Sequence, residues 1–119
     1  MTHAYVKPHK RYSEDQIKVI EETYTQAGKK NNVLVIPVGL AFDLAYKEDP
    51  SIELHKPDGT HPNLLGTYLA SCTVFASIYR KSPIDLEYDY FGSISNKDKV
   101  FLQRIAHEAT SEYLNLLLE

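Results

Sequence analysis

Apolar residues recur at helical spacing in several stretches of the chain. Ile17, Ile20, Tyr24 and Ala27 lie three or four apart, the repeat of one helix face. Ser13 with Gln16 forms a capping box ahead of them, and Gly28 suits a C-terminal stop. The pattern predicts a helix over about 13–28. Leu65, Leu69, Cys72, Ala76 and Tyr79 make a second stripe, which Asn63 is placed to cap and Ser82-Pro83 to end. Leu102, Ile105, Ala109, Tyr113 and Leu116 make a third, introduced by Ser95 and Asp98. A shorter helix from Gly39 to about Lys47 places Leu40, Leu44 and Ala45 on one side.

A different pattern stands between the first two helices. Val33-Leu34-Val35-Ile36-Pro37-Val38 is continuously apolar and rich in β-branched residues, the signature of a strand buried on both faces of a parallel sheet. Pro37 lacks a backbone donor and stops full pairing at the C-terminal end. A crevice at such a strand end is where α/β proteins tend to bind ligands. The stretch from Asp49 to Pro62 holds Pro50, Pro57, Gly59 and Pro62 and reads as a loop, with only Ser51 to Leu54 extended. Leu86 to Tyr90 alternates and reads as a short extended segment. The order is therefore helix, strand, helix, loop, helix, helix. That is part of an α/β fold with too few strands to close a sheet. Such a chain leaves surface uncovered that a complete domain of its size would hide.

Composition narrows the function classes. A length of 119 residues fits one domain, and a net charge of −3 with both signs interspersed carries no nucleic-acid footprint. The basic run from Lys7 to Arg11 is short, contains Pro8 and His9, and reads as a solvated loop. Cys72 is the only cysteine, which excludes an internal disulfide, and its apolar helical setting marks a buried, inert thiol. No apolar run reaches the length of a membrane span. Met-Thr-His-Ala-Tyr is not a signal peptide, so the compartment stays open.

The candidate chemistry sits in the loop. Asp58-Gly59-Thr60-His61 places a carboxylate three residues before an imidazole. A carboxylate so placed can fix one tautomer of the ring and stabilise the imidazolium formed when the other nitrogen takes a proton. A plain alternative is that Asp58 caps a turn through a bond to Thr60 while His61 fills the loop. The chain offers no partner nucleophile: Ser51, Ser71, Ser77 and Ser82 lack an elbow-like glycine context. His55, Asp58 and His61 also have the spacing of three metal ligands on a helix, but Pro57 and Gly59 argue against a helix, so no metal and no cofactor is assigned. His3, His9 and His107 are isolated and read as ordinary surface or loop residues. Tyr88, Tyr90 and Phe91 read as packing residues first, and as an aromatic surface second.

Taken together, Val35-Ile36-Pro37-Val38-Gly39-Leu40-Ala41-Phe42, Leu54-His55-Lys56-Pro57-Asp58-Gly59-Thr60-His61-Pro62-Asn63 and Gly66-Thr67-Tyr68-Leu69-Ala70 resemble the C-terminal half of the SGNH (GDSL-type) hydrolases. In that family a Pro-x-Gly-x-Ala segment, a Leu-x-x-Asp-Gly-x-His-Pro loop and a Gly-x-Tyr-Leu-Ala helix follow one another. Met1-Thr2-His3-Ala4 resembles the end of a core strand that often reads Met-Thr-Trp-Ala there, with His3 as a departure. The resemblance covers nearly the whole chain. It implies a single partial domain over 1–119, the C-terminal part of a three-layer α/β/α (flavodoxin-like) sandwich with an incomplete parallel sheet. It implies that Asp58 and His61 are the acid and base of a catalytic triad. The family's serine, and its glycine and asparagine oxyanion blocks, would precede this chain. On that reading the chain is a fragment of a serine ester hydrolase, inactive alone, whose partner is an N-terminal fragment of the same hydrolase or a second copy. The substrates of intact relatives are esters, acylated carbohydrates among them. The alternative is a non-catalytic interaction or oligomerisation module derived from that fold.

Overall fold

Four helices and the loops between them make up the chain, which a computed structural model describes over residues 1–119. In chain order they are α1 (Gln16–Asn31), α2 (Val38–Glu48), α3 (Leu64–Tyr79) and α4 (Asn96–Leu114). The core is built by three of them. Ala41, Phe42 and Ala45 of α2, Tyr68, Leu69 and Cys72 of α3, and Leu102, Ile105, Ala106 and Ala109 of α4 meet Leu54 and Ile94 from the loops. Side chains at these spacings line one face of each helix, which is why the three stripes find one another. The slab they form measures 39 × 35 × 21 Å, about two helices thick. Helix α1 is peripheral. Gly28 is its one buried residue, and Thr25 reaches the Tyr113 hydroxyl of α4 at 2.7 Å.

The caps follow local chemistry. Asn63 Oδ1 accepts the Gly66 amide at 3.0 Å and Ser95 Oγ accepts the Asp98 amide at 3.2 Å, so α3 and α4 start where their sequences say. At α1 the expected box does not form. Asp15 holds the cap position without a side-chain bond, and Gln16 Oε1 instead accepts the Tyr5 amide at 2.8 Å. Gly28 does not end that helix. Its missing Cβ makes room for Val35, and the left-handed residue is Asn32, with φ 51°.

The fold class is a correction. The chain is helical and holds no sheet, so the expected α/β sandwich with an incomplete parallel sheet is not formed. Val33 to Pro37 pairs with no strand, and its end turns tightly at Pro37, with φ −85° and ψ 47°. The Val33 amide is taken by the Gly28 carbonyl at 3.0 Å, and the Ile36 carbonyl accepts the Met1 ammonium at 2.9 Å and the Val38 amide at 3.0 Å. A strand exists only through its ladder, and here no neighbour supplies one. The single bridge, His55 to Pro62, closes the 56–61 loop instead.

Residues 80–95 return from the end of α3 to the start of α4, and a buried glutamine pins them. Gln103, 1 % exposed, donates through Nε2 to the Leu86 carbonyl at 2.8 Å and the Tyr68 hydroxyl at 3.0 Å, and accepts the Asp85 amide at 3.2 Å. Tyr68 in turn donates to the Tyr88 carbonyl at 2.7 Å. Gln103→Leu keeps volume and removes all three bonds. Asp85 is exposed and its amide can rehydrate, so the expected loss is about 2 kcal/mol in a urea titration. Beyond this anchor the loop turns outward. Tyr88, Tyr90 and Phe91 are exposed, Phe91 at 88 %, and touch one another edge to face. The packing role expected of them is therefore corrected. Cys72 is buried as expected, and burial pushes its thiol up to about 11.

Candidate active site

The loop from His55 to Pro62 is a closed hairpin. The Lys56 amide donates to the His61 carbonyl at 2.7 Å and the Asn63 amide to the Leu54 carbonyl at 2.9 Å. These bonds fix the two arms, and α3 begins directly behind them. At the tip, Asp58 Oδ1 accepts the backbone amides of Thr60 and His61, both at 3.0 Å. Its other oxygen, Oδ2, lies 2.5 Å from His61 Nδ1. Gly59 makes this turn possible: its φ is +74°, and a Cβ there would run into the Val6 carbonyl oxygen.

Electrostatics follow from these bonds. The Thr60 amide first, then the His61 side chain and amide, hold the Asp58 carboxyl far below the usual carboxylate range. An ionised carboxylate only accepts, so His61 Nδ1 carries the proton and Nε2 keeps its lone pair. No group of the chain bonds Nε2, and the His61 side chain is 70 % exposed. The arrangement is an oriented base aimed at solvent, as the sequence expects of a carboxylate–imidazole pair. The turn-capping alternative is also realised, by the same Asp58 through its other oxygen.

No serine completes the pair. Ser82 Oγ does contact an imidazole, His107 Nδ1 at 2.8 Å, but it also accepts the Ile84 amide at 3.2 Å, and no carboxylate backs that ring. Ser71 bonds the Thr67 carbonyl within its own helix, and Ser51 bonds Asp49. Ser77 is buried without a partner.

Sequence reasoning missed a second cluster. His3, read as isolated, stacks on Phe42 with ring centroids 4.9 Å apart and lies 3.1 Å from His55 Nε2. His55 turns its other nitrogen, Nδ1, to the Tyr46 hydroxyl at 2.6 Å. It therefore points away from His61 rather than joining it as a ligand. Burial and the neighbouring His3 lower the His55 pKa to about 4, and burial lowers that of His3. An open cleft of about 870 Å³ runs past this cluster, walled by Tyr5, Phe42, Tyr46, Ile52 and His55.

These shifts set a pH dependence. In the unfolded chain the two histidines take protons near pH 6.5. Folded, they resist protonation to lower pH, so the unfolded state binds more protons below about 6.5 and is favoured there. Stability is therefore full above about pH 6.5 and falls as pH drops toward 4. Asp58, with its depressed carboxyl, adds a separate loss that begins only below about pH 4. Urea midpoints measured from pH 7.5 to 3.5 should show the histidine step first, and a flat profile between 6.5 and 4.5 would contradict it.

No family model matches the chain, and no curated protein matches it. Among solved structures, the chain is similar to a DUF4886 family protein from Bacteroides uniformis ATCC 8492, whose crystal structure was determined at 1.50 Å resolution. The TM-score is 0.82 at 20% sequence identity, and the match covers 99% of this chain and 48% of that one. The chain thus spans about half the length of that protein and shares the fold of the matched half. No helix of the chain is long and apolar enough to cross a membrane.

Proposed function

We propose that this chain carries the acid–base half of an SGNH-type serine ester hydrolase site and is completed by a second polypeptide segment bearing the nucleophile. The observation behind this reading is the Asp58–His61 pair. Its carboxylate is locked by two backbone amides, its Nδ1 proton is committed, and its Nε2 lone pair is free and exposed. The linked motifs around it support the same assignment. In the completed site, His61 Nε2 takes the proton of a serine hydroxyl as the oxygen attacks an ester carbonyl, then gives it to the leaving alcohol. Asp58 holds the ring and stabilises the imidazolium. On this reading the oxyanion donors come from the completing segment.

Surface area supports a completing partner. The chain exposes 7541 Å², against about 6,600 Å² expected for a folded monomer of its mass. The excess is near the area one partner gives up in a standard interface, about 800 Å². Val74, Ile78 and Tyr79 expose a short apolar strip at the C-terminal end of α3, and Val33 and Leu34 expose another just after α1. The same strips favour the second reading, a non-catalytic interaction module.

Co-expression of the chain with the polypeptide encoded directly upstream of it tests the two. The hydrolase reading expects a stable complex that turns over p-nitrophenyl acetate and whose upstream partner is labelled by a fluorophosphonate at serine. The chain alone should show neither. A complex without turnover or labelling supports the interaction module. Labelling of a serine in this chain overturns both.

A further inference from the structure

We propose that Tyr46, His55 and His3 form an acid-sensitive latch that fastens the segment Met1 to Val6 across the hairpin carrying Asp58 and His61. The segment is a strap tied at several points. The Met1 ammonium bonds the Ile36 carbonyl at 2.9 Å, and the Gly39 amide bonds the Met1 carbonyl at 3.3 Å. Gly39 is required there, because a Cβ would collide with the Thr2 carbonyl as the strap crosses α2. The Tyr5 amide bonds Gln16, and the Val6 amide bonds the Gly59 carbonyl at 2.9 Å, at the hairpin tip. His3 is the side chain in the middle, and its imidazole joins the strap to the hairpin.

Hydrogen-bond direction along the cluster is determined. The Leu54 amide donates to the Tyr46 oxygen at 3.1 Å. The Tyr46 hydroxyl proton then has one acceptor in reach, His55 Nδ1 at 2.6 Å. His55 is left with its proton on Nε2, which donates to His3 Nδ1 at 3.1 Å. That contact is shorter than the 3.4 Å separating His3 Nδ1 from the Ala4 carbonyl. With the opposite polarity the tyrosine proton has no acceptor. The Tyr46 hydroxyl and the His55 Nε2 proton both find acceptors only while both rings are neutral.

Protonation breaks the chain in two steps. The first proton, whichever ring holds it, leaves one proton in the His55–His3 contact and puts one on His55 Nδ1, which reverses the Tyr46 contact. A second, on His3 Nδ1, sets N–H against N–H between two cations on a surface walled by Phe42. No carboxylate bonds either ring. The charged groups around the cluster are Asp58 and His61 at the hairpin tip, Glu53 and Lys56 on its arms, Asp43 of α2 with its partner Lys47, Glu14 ahead of α1, and Lys7 on the strap side. Asp58 favours charge on His55, whereas the charge of His61 opposes it on His3. Burial outweighs Asp58 and the nearby Ala4 carbonyl, which favour charge on these rings, and this holds the latch closed at neutral pH and lets acid open it.

The latch is read on the chain alone and does not depend on the hydrolytic reading. Imidazole and amide resonances of the ¹⁵N-labelled full chain are followed from pH 8 to 4. His55 should remain neutral at pH 6, His3 should titrate below the ordinary histidine range, and the proton of each neutral ring should lie on Nε2. The Val6 and Gly59 amide signals should move with the second protonation, when both rings carry charge. His3→Phe keeps the stack on Phe42, preserves the Val6 and Gly59 signals at pH 7, and abolishes their acid step. Should that variant fold poorly, Tyr46→Phe serves: the bond at His55 Nδ1 is lost in both protonation states, so the His55 midpoint shifts. Titration of both histidines near 6.5, amide signals that ignore the step, a step that survives His3→Phe, or an unmoved His55 midpoint in Tyr46→Phe would each overturn the latch.

Discussion

His61→Ala should reduce ester hydrolysis by the completed site by about 10⁴- to 10⁶-fold in kcat, with Asp58→Asn costing about 10⁴-fold. The magnitude follows from what each group does. Without the imidazole nothing takes the serine proton at neutral pH. With asparagine, an amide NH₂ can face Nδ1 where a carboxylate did, which places the proton on the wrong nitrogen. Stability should barely register the first change. His61 is 70 % exposed, and surface replacements of this kind stay within about 0.5 kcal/mol. Loss of rate with unchanged unfolding is therefore the signature of chemistry. A loss of rate that tracks a loss of stability would instead make the pair a structural clasp. Asp58 stays ionised at neutral pH, so its own titration contributes no limb to the pH–rate profile there.

The elements legible in the sequence are those whose causes are local. Asn63 caps α3 and Ser95 caps α4 through amides three residues away, and a window of four residues contains the whole cause. The Asp58–His61 pair is legible for the same reason: all its bonds fall within three residues. The segment 33–38 fails because a strand is a property of pairs. Its β-branched residues fit an extended backbone, but Val33 to Pro37 forms neither strand nor helix. Whether it becomes a strand depends on neighbours elsewhere in the chain, and here the N-terminal strap touches only its end. His3 and His55 stand 52 residues apart, so no spacing rule could join them. The aromatic residues 88–91 mislead differently. Their composition says core, but positive φ values at Tyr90 and Phe91 turn the chain outward. Gln16 shows local and distant demands in competition, with the strap winning the side chain the capping box would have used.

Gly66→Ala should destabilise the chain by about 3 kcal/mol, although helix propensity alone favours it by up to about 1 kcal/mol. The sign is decided by what an added methyl would meet. Gly66 lies in the first turn of α3, where a Cβ would collide with the Leu54 carbonyl oxygen and sit 3.1 Å from Phe42 Cζ. The oxygen cannot swing aside cheaply. It accepts the Asn63 amide at 2.9 Å, and Leu54 is wholly buried. Phe42 is itself in the core against His3. Relief requires α3 to lift from the hairpin base, which stretches the Asn63 cap and loosens the arms that carry Asp58 and His61. Gly92→Ala is the control. There φ is +79° with nothing within 4 Å, so the cost is the left-handed backbone penalty alone, about 1 kcal/mol. Urea titration should rank Gly66→Ala well below Gly92→Ala in stability. The His61 resonances should shift in the first variant and not in the second. The reverse order would mean that the hairpin does not lean on α3, and the rigidity assigned to the Asp58–His61 pair would lose its support.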